Sequence, residues 1–230
     1  MNMYADRGNV ICLVQRCRWR GIEVEVRGIN PGPLEGAAEL DIMLIGGGQD
    51  REQWLASQDL VDAKGPALRD AVGDGLVVLA VCGGYQLFGE FYRDHTGTEL
   101  RGIDVLPAYT IHPGAESPRC IGNIVTAWQD RQLVGFENHG GRTYLRDPAA
   151  ALATVQHGFG NNGEDKTEGA QWRNVFGTYL HGSLLPKNPA LADHLILKAL
   201  QRRHGVNSLP ALDDALETSA HRRAVRIAGG

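Results

Sequence analysis

Cysteine is scarce in this chain: Cys12, Cys17, Cys82 and Cys120 are the only four in 230 residues. So few thiols exclude a disulfide scaffold at this length. Neither a Cys-x-x-Cys pair nor a closely spaced His pair is present to suggest structural zinc, and no metal is expected. An excess of positive charge is also missing. Twenty-three Lys and Arg stand against 27 Asp and Glu, for a formal net charge of -4. That argues against a nucleic-acid-coating protein or a polybasic membrane binder. The longest apolar run, Leu76 to Val81, is far short of the roughly 18 residues a membrane span needs. The opening MNMYADRGN has no charged-then-apolar leader. What is present is ordinary globular material, 43% hydrophobic and 22% charged, so a soluble cytoplasmic domain is expected.

Val10, Leu13, Val14 and Cys17 recur at helical spacing, predicting a helix over Val10 to Trp19 with Asn9 as N-cap. Cys12 and Cys17 read there as small hydrophobes, as does Cys120 in a strand-like run. Ile22 to Val26 alternates apolar and acidic residues and predicts a half-buried strand. Asp41 to Ile45 predicts a short strand running into Gly46-Gly47-Gly48, and helical pattern fills much of Gln49 to Asp74. Leu76 to Val81 suits a central parallel strand covered on both faces, and Tyr85 to Tyr92 has helical pattern. Strands alternating with helices imply an α/β sandwich with a mostly parallel sheet. Ile121 to Trp128, Leu133 to Phe136, Leu152 to Val155 and Val175 to Leu180 then predict added, partly antiparallel strands of the same domain. Helices are expected from Pro189 to about Arg203 and from about Pro210. The reading is one domain over 1–204 and a helical tail over 205–230.

Ala80-Val81-Cys82-Gly83-Gly84 places a thiol where a buried strand ends, with small residues two before and two after it. That is the pattern of a nucleophile elbow, whose turn brings strand and helix backbones close together. The following helix start would favour thiolate, and the N–H of Gly83 is a candidate oxyanion donor. The alternative is a buried cysteine before a glycine turn. Gly46-Gly47-Gly48 also follows a strand, at the sheet end where ligands gather in open α/β folds. It matches no phosphate-binding glycine pattern. Of eight histidines, His181 follows a strand and precedes Gly182, which puts it on the same sheet end as Cys82. Glu137-Asn138-His139 with Arg142 reads as a structural turn, with His139 as a rival base or metal ligand. GNNGEDKTEG, from Gly160 to Gly169, reads as a solvated hairpin loop or a docking element.

Cys82-Gly83-Gly84-Tyr85-Gln86, Gly46-Gly47-Gly48-Gln49-Asp50 and Gly177-Thr178-Tyr179-Leu180-His181-Gly182 together resemble class I glutamine amidotransferases of the cobyric-acid-synthase type. Three more stretches are similar to the glutaminase subunits of lipid II isoglutaminyl synthases. These are Tyr4 to Asn9, Gly135 to Tyr144 and Leu185 to Pro189. The likeness runs from about Met3 to about His204, with six motifs in order.

The resemblance implies a flavodoxin-like three-layer sandwich and a set of roles. Cys82 attacks the glutamine side-chain amide, and His181 serves as base and then acid. Gly83 with Gly47 or Gly48 holds the oxyanion, Arg119 grips substrate glutamine, and Gln86 contacts it. No cofactor is implied. The implied partner is a Mur-ligase-like synthetase subunit that activates the D-glutamate carboxylate of lipid II with ATP and receives the ammonia. Other readings are an amidotransferase subunit for another acceptor such as a corrinoid carboxylate, a γ-glutamyl hydrolase, and a catalytically silent scaffold. Two departures from the pattern stand out. Ser183 occupies the position two after the histidine where many relatives have Glu, so a third member comes from elsewhere or a Cys–His dyad suffices. Only Met1 to Met3 precede the Tyr4 to Asn9 motif, where relatives have a strand.

Overall fold

The computed structural model describes residues 7–48, 57–181 and 183–229. Its first helix, α1, spans Arg7–Arg18. Strand β1 (Ile42–Ile45) follows, then helix α2 (Gly65–Gly73) with Pro66 in its first turn, and strand β2 (Val77–Val81). Helix α3 (Gly83–Phe88) leads to β3 (Phe91–Arg93), β4 (Glu99–Arg101) and β5 (Ala108–Ile111). The long hairpin β6 (Cys120–Trp128) and β7 (Arg131–His139) precedes β8 (Arg142–Leu145) and β9 (Ala153–His157). Short strands β10 (Thr167–Glu168) and β11 (Ala170–Trp172) lead to β12 (Val175–Thr178). Helices α4 (Leu184–Lys187), α5 (Pro189–His204) and α6 (Ala215–Ala228) end the described chain.

One sheet has the order β1-β2-β12-β11, parallel through β12 and antiparallel at β11. Strand β2 is wholly buried, and its side chains divide by parity. Val77, Leu79 and Val81 pack with Leu13 of α1 and Leu195 of α5, whereas Val78 and Ala80 pack with Leu68 and Val72 of α2 and Phe88 of α3. A strand with apolar residues on both faces can only lie between two helical layers, so the unbroken valine-rich run becomes the middle of a sandwich. Of the later strands, β12 and β11 join this sheet, so the Val175 segment, expected among the added strands, is instead a parallel strand of the core beside β2. The others build two more sheets, β10-β9-β6-β7 and β4-β3-β5-β8. The architecture is mixed α/β, a mostly parallel central sheet with added antiparallel strands, as the alternation of elements predicts.

Several expectations need correction. Ile22 to Val26 forms no strand: Val24 and Val26 are exposed, and no ladder partner is found among the described residues. Alternation makes a strand only where a neighbour takes its N–H and C=O groups. Asn9 is not an N-cap but lies inside α1, buried, where its Oδ1 accepts from Leu185 N at 2.8 Å and caps α4 instead. The helix expected through Tyr92 ends at Phe88. At the bend, a Cβ on Gly89 would lie 2.5 Å from Ala108 O, so the chain turns against the β5 backbone and continues as β3. The helical pattern from Gln49 lies outside the described residues as far as Ala56.

The tail is packed, not loose. Arg16 of α1 is buried and pairs bidentately with both Asp193 of α5 and Asp214 ahead of α6. Ala224, Val225 and Ala228 of α6 pack against Val125 of β6 and Val134 of β7. Among the described residues, no helix is long and apolar enough to cross a membrane.

Candidate active site

Cys82 sits between β2 and α3 with φ 51° and ψ -108°. A non-glycine residue is seldom held at positive φ, and such strain persists where surrounding contacts over-determine it. Those contacts are on either side. Cys82 N extends the parallel ladder to Thr178 O at 2.8 Å, and Cys82 O accepts from Gln86 N at 2.9 Å. The small neighbours serve the same turn: a Cβ on Gly84 would lie 2.7 Å from Ile45 O and 2.9 Å from Ile45 Cγ2. Gly84→Ala should therefore force β1 from the elbow and destabilise the fold by about 1–3 kcal/mol, the usual cost of overpacking. Urea denaturation measures the loss, and stability equal to the parent would contradict the close approach.

The structure brings together three of the site residues expected from sequence. A Cβ on Gly47 would lie 3.2 Å from His181 Cε1, 3.5 Å from Cys82 Cβ and 3.9 Å from Cys82 Sγ. Gly47 thus sits against both side chains, and any side chain of its own would press on the imidazole. Gly48 is half-buried beside it and Gly83 is buried beside Cys82. Gln49 and Asp50 lie outside the described residues.

His181 is fully buried, and its backbone forms an antiparallel bridge to β7: His181 N donates to Phe136 O at 2.7 Å, and Phe136 N to His181 O at 3.3 Å. Burial, with a smaller contribution from the charge of His139, pushes its pKa down to about 4. The imidazole is therefore neutral at pH 7, the form that can take a proton. The chain after it is held from α1, since a Cβ on Gly8 would lie 2.2 Å from Ser183 Oγ.

Gln86 is buried one turn beyond Cys82 and donates from Nε2 to Tyr179 Oη at 3.0 Å. Tyr179 Oη also lies 2.6 Å from Thr143 Oγ1, which in turn is 2.7 Å from Thr110 Oγ1. His139 is buried and stacks on Tyr179 with ring centroids 3.6 Å apart. It donates from Nδ1 to Gly141 O at 2.8 Å, and its Nε2 lies 3.7 Å from Glu137 Oε2. Among the described residues, no His, Cys, Asp and Glu cluster could hold a metal ion. Arg119 lies on the surface just before β6, with Nε donating to Asn138 Oδ1 at 2.9 Å and Nη2 to Asn138 O at 3.1 Å. Gly140 and Gly141 connect the two regions. A Cβ on Gly141 would lie 3.0 Å from Gln86 Nε2, and one on Gly140 would lie 3.3 Å from Arg119 Nη1.

Sequence reasoning missed Tyr179, Thr143, Glu168 and this glycine pair. Glu168 is fully buried, accepts from Thr178 Oγ1 and Tyr179 N, and has its pKa raised to about 7, chiefly by burial. It holds the end of β12 from which His181 projects. No local pattern marks such a residue, because it stands in what reads as a polar loop. That loop is also not simply solvated: Asn161 and Asn162 are buried, and Asn161 bonds Gly169 N and O and Thr167 Oγ1. Asparagine side chains satisfy the backbone that a buried turn would otherwise leave unpaired.

The sequence profile of the CobB/CobQ-like glutamine amidotransferase domain matches residues 1–189. The chain is 46% identical over 204 residues to the lipid II isoglutaminyl synthase (glutamine-hydrolyzing) subunit GatD of Staphylococcus aureus strain N315, spanning 88% of this chain and 82% of that one. It is 38% identical over 219 residues to the protein of the same name from Streptococcus pneumoniae strain ATCC BAA-255 / R6, spanning 94% and 83%. A cobyric acid synthase from Moorella thermoacetica is 27% identical over 208 residues, covering 81% of this chain but 38% of that one. A glutamine amidotransferase crystal structure matches at a TM-score of 0.54 and 15% identity, over 82% of this chain and 93% of that one, which speaks to the fold alone.

Proposed function

We infer the function from one premise: the chain belongs to the CobB/CobQ-like glutamine amidotransferase family. We propose that it is the glutaminase subunit of a lipid II isoglutaminyl synthase. The observation that carries this is the convergence of a strained Cys82 and a neutral, buried His181 on the bare backbone of Gly47. Cys82 Sγ attacks the side-chain amide carbon of glutamine as its proton passes to His181. Backbone N–H groups of Gly83 and of Gly47 or Gly48 hold the oxyanion. The C–N bond then breaks, His181 returns the proton to the leaving ammonia, and water hydrolyses the thioester to glutamate. Gln86 and Arg119 bind the substrate. The ammonia passes to a Mur-ligase-like synthetase, with ATP used there, to amidate the D-glutamate of lipid II in the cytoplasm. Residues 1–204 form the amidotransferase domain in this reading, and 205–230 a helical tail.

The test is lipid II amidation by the co-purified complex, with glutamine or ammonium as the nitrogen source. Glutamine-dependent amidation supports the reading, and a complex that uses neither source on lipid II rejects the acceptor. Arg119→Ala should weaken glutamine use about 10- to 150-fold, as for losing a charge-assisted contact of about 1.5–3 kcal/mol. Ammonium-driven amidation should survive, since the synthetase needs only ammonia. Loss of both in an assembled complex would place Arg119 elsewhere in the reaction.

A further inference from the structure

Arg119 does not face Gly140 alone. A Cβ on Gly140 would lie 2.5 Å from His112 Nε2, 2.9 Å from His112 Cδ2 and 3.3 Å from Arg119 Nη1. Two side-chain nitrogens from separate strand ends thus converge on one glycine. Both are held from behind. Arg119 uses Nε and Nη2 on Asn138, which turns Nη1 toward Gly140. His112 follows β5, and its backbone N donates to Arg93 O at 2.8 Å. Its Nδ1 accepts from Gly114 N at 3.2 Å, and the ring of His95 meets it edge-on at 5.8 Å. An imidazole that accepts at Nδ1 carries its hydrogen on Nε2, so the atom beside Gly140 is a donor.

We propose that His112 is a second binding residue for the α-carboxylate of glutamine, completing with Arg119 a pair of donors, one for each carboxylate oxygen. This rests on the glutaminase reading above. Glutamine has a neutral amide at one end and a carboxylate at the other. In the protein a run of contacts links the two regions: Gln86 N bonds Cys82 O, a Cβ on Gly141 would lie 3.0 Å from Gln86 Nε2, and Gly141 adjoins Gly140 and the two donors. Because His112 and Arg119 are each fixed by other bonds, little side-chain freedom is lost when the carboxylate arrives. Absence of a side chain at Gly140 is what lets the two nitrogens converge.

The test uses the purified protein, or its complex with the synthetase, and two electrophiles that alkylate thiols. One is a chloroketone analogue of glutamine that keeps the α-carboxylate, and the other is iodoacetamide, which has none. Peptide mapping follows labelling at Cys82. In His112→Ala, labelling by the chloroketone at limiting concentration should fall about tenfold, as for one lost hydrogen bond to a charged group, with iodoacetamide labelling unchanged. The KM for glutamine should rise by a similar factor with little change in kcat. His112→Gln, which keeps an N–H donor at similar reach, should recover part of the loss and guards against a folding defect in the alanine variant. Equal loss with both electrophiles, or no loss with either, overturns the proposal. If the parent reacts at Cys82 with iodoacetamide but not with the chloroketone, the glutaminase reading itself fails.

Discussion

Cys82→Ser is expected to reduce glutamine hydrolysis to background, leave the fold intact, and leave ammonium-driven amidation by the complex in place. A hydroxyl at the elbow lacks the nucleophilicity of a thiolate, while nothing in the ammonium route uses the thiol. The other three cysteines give the internal control. Burial pushes the Cys12 thiol up to about 11 and raises those of Cys17 and Cys120, so all three are poor nucleophiles at neutral pH. A glutamine-like electrophile should therefore label Cys82 and spare them. Labelling spread evenly over four sites, or full hydrolysis by the serine variant, would remove Cys82 from the mechanism.

His181→Ala should lower turnover by about two to four orders of magnitude, the range for losing a general acid–base group. His139→Ala should cost much less, because His139 stacks on the ring of Tyr179 and holds Gly141 O, a supporting role. The reverse ranking, in variants shown to fold by circular dichroism, would move the base to His139. Stability carries an independent signature of the same residue. The folded pKa of His181 is about 4, below the ordinary histidine value of 6.5, so the unfolded chain binds the proton more readily. Its neutral form costs nothing at pH 7, and stability falls as pH drops from 6.5 toward 4. At pH 5 the loss is on the order of 2 kcal/mol. Urea denaturation at pH 7 and pH 5 should show this acid sensitivity in the parent and less of it in His181→Ala. Equal sensitivity in the two would mean that another buried group is responsible.

Much of this site is legible in the amino-acid sequence, because its chemistry depends on residues that are neighbours along the chain. A nucleophile elbow needs a buried strand, a reactive residue and small neighbours in immediate succession, and Ala80 to Gly84 provides them in five residues. His181 is readable for a similar reason, as a polar residue ending an apolar run. The glycine of the Gly46 to Gly48 loop is also visible, though only the fold shows that Gly47 is the one pressed between Cys82 and His181. Gly84 and Gly8 illustrate the difference. The first is needed by a turn written next to it, whereas the second is needed by Ser183, far along the chain.

The parallel core, the elbow and the family follow from the order of residues, since each rests on periodicity or on motifs whose parts are adjacent. Which alternating segment becomes a strand is settled on folding: Ile22 to Val26 has the pattern but finds no ladder among the described residues. Folding also sets Asn9 to cap a helix 176 residues away, buries Glu168 beneath the histidine strand, and brings His112 and Arg119 together over Gly140. The physical reason is common to all of them. Hydrogen bonds and close contacts form between groups that are near in space, and no local pattern records which distant residue arrives to make them.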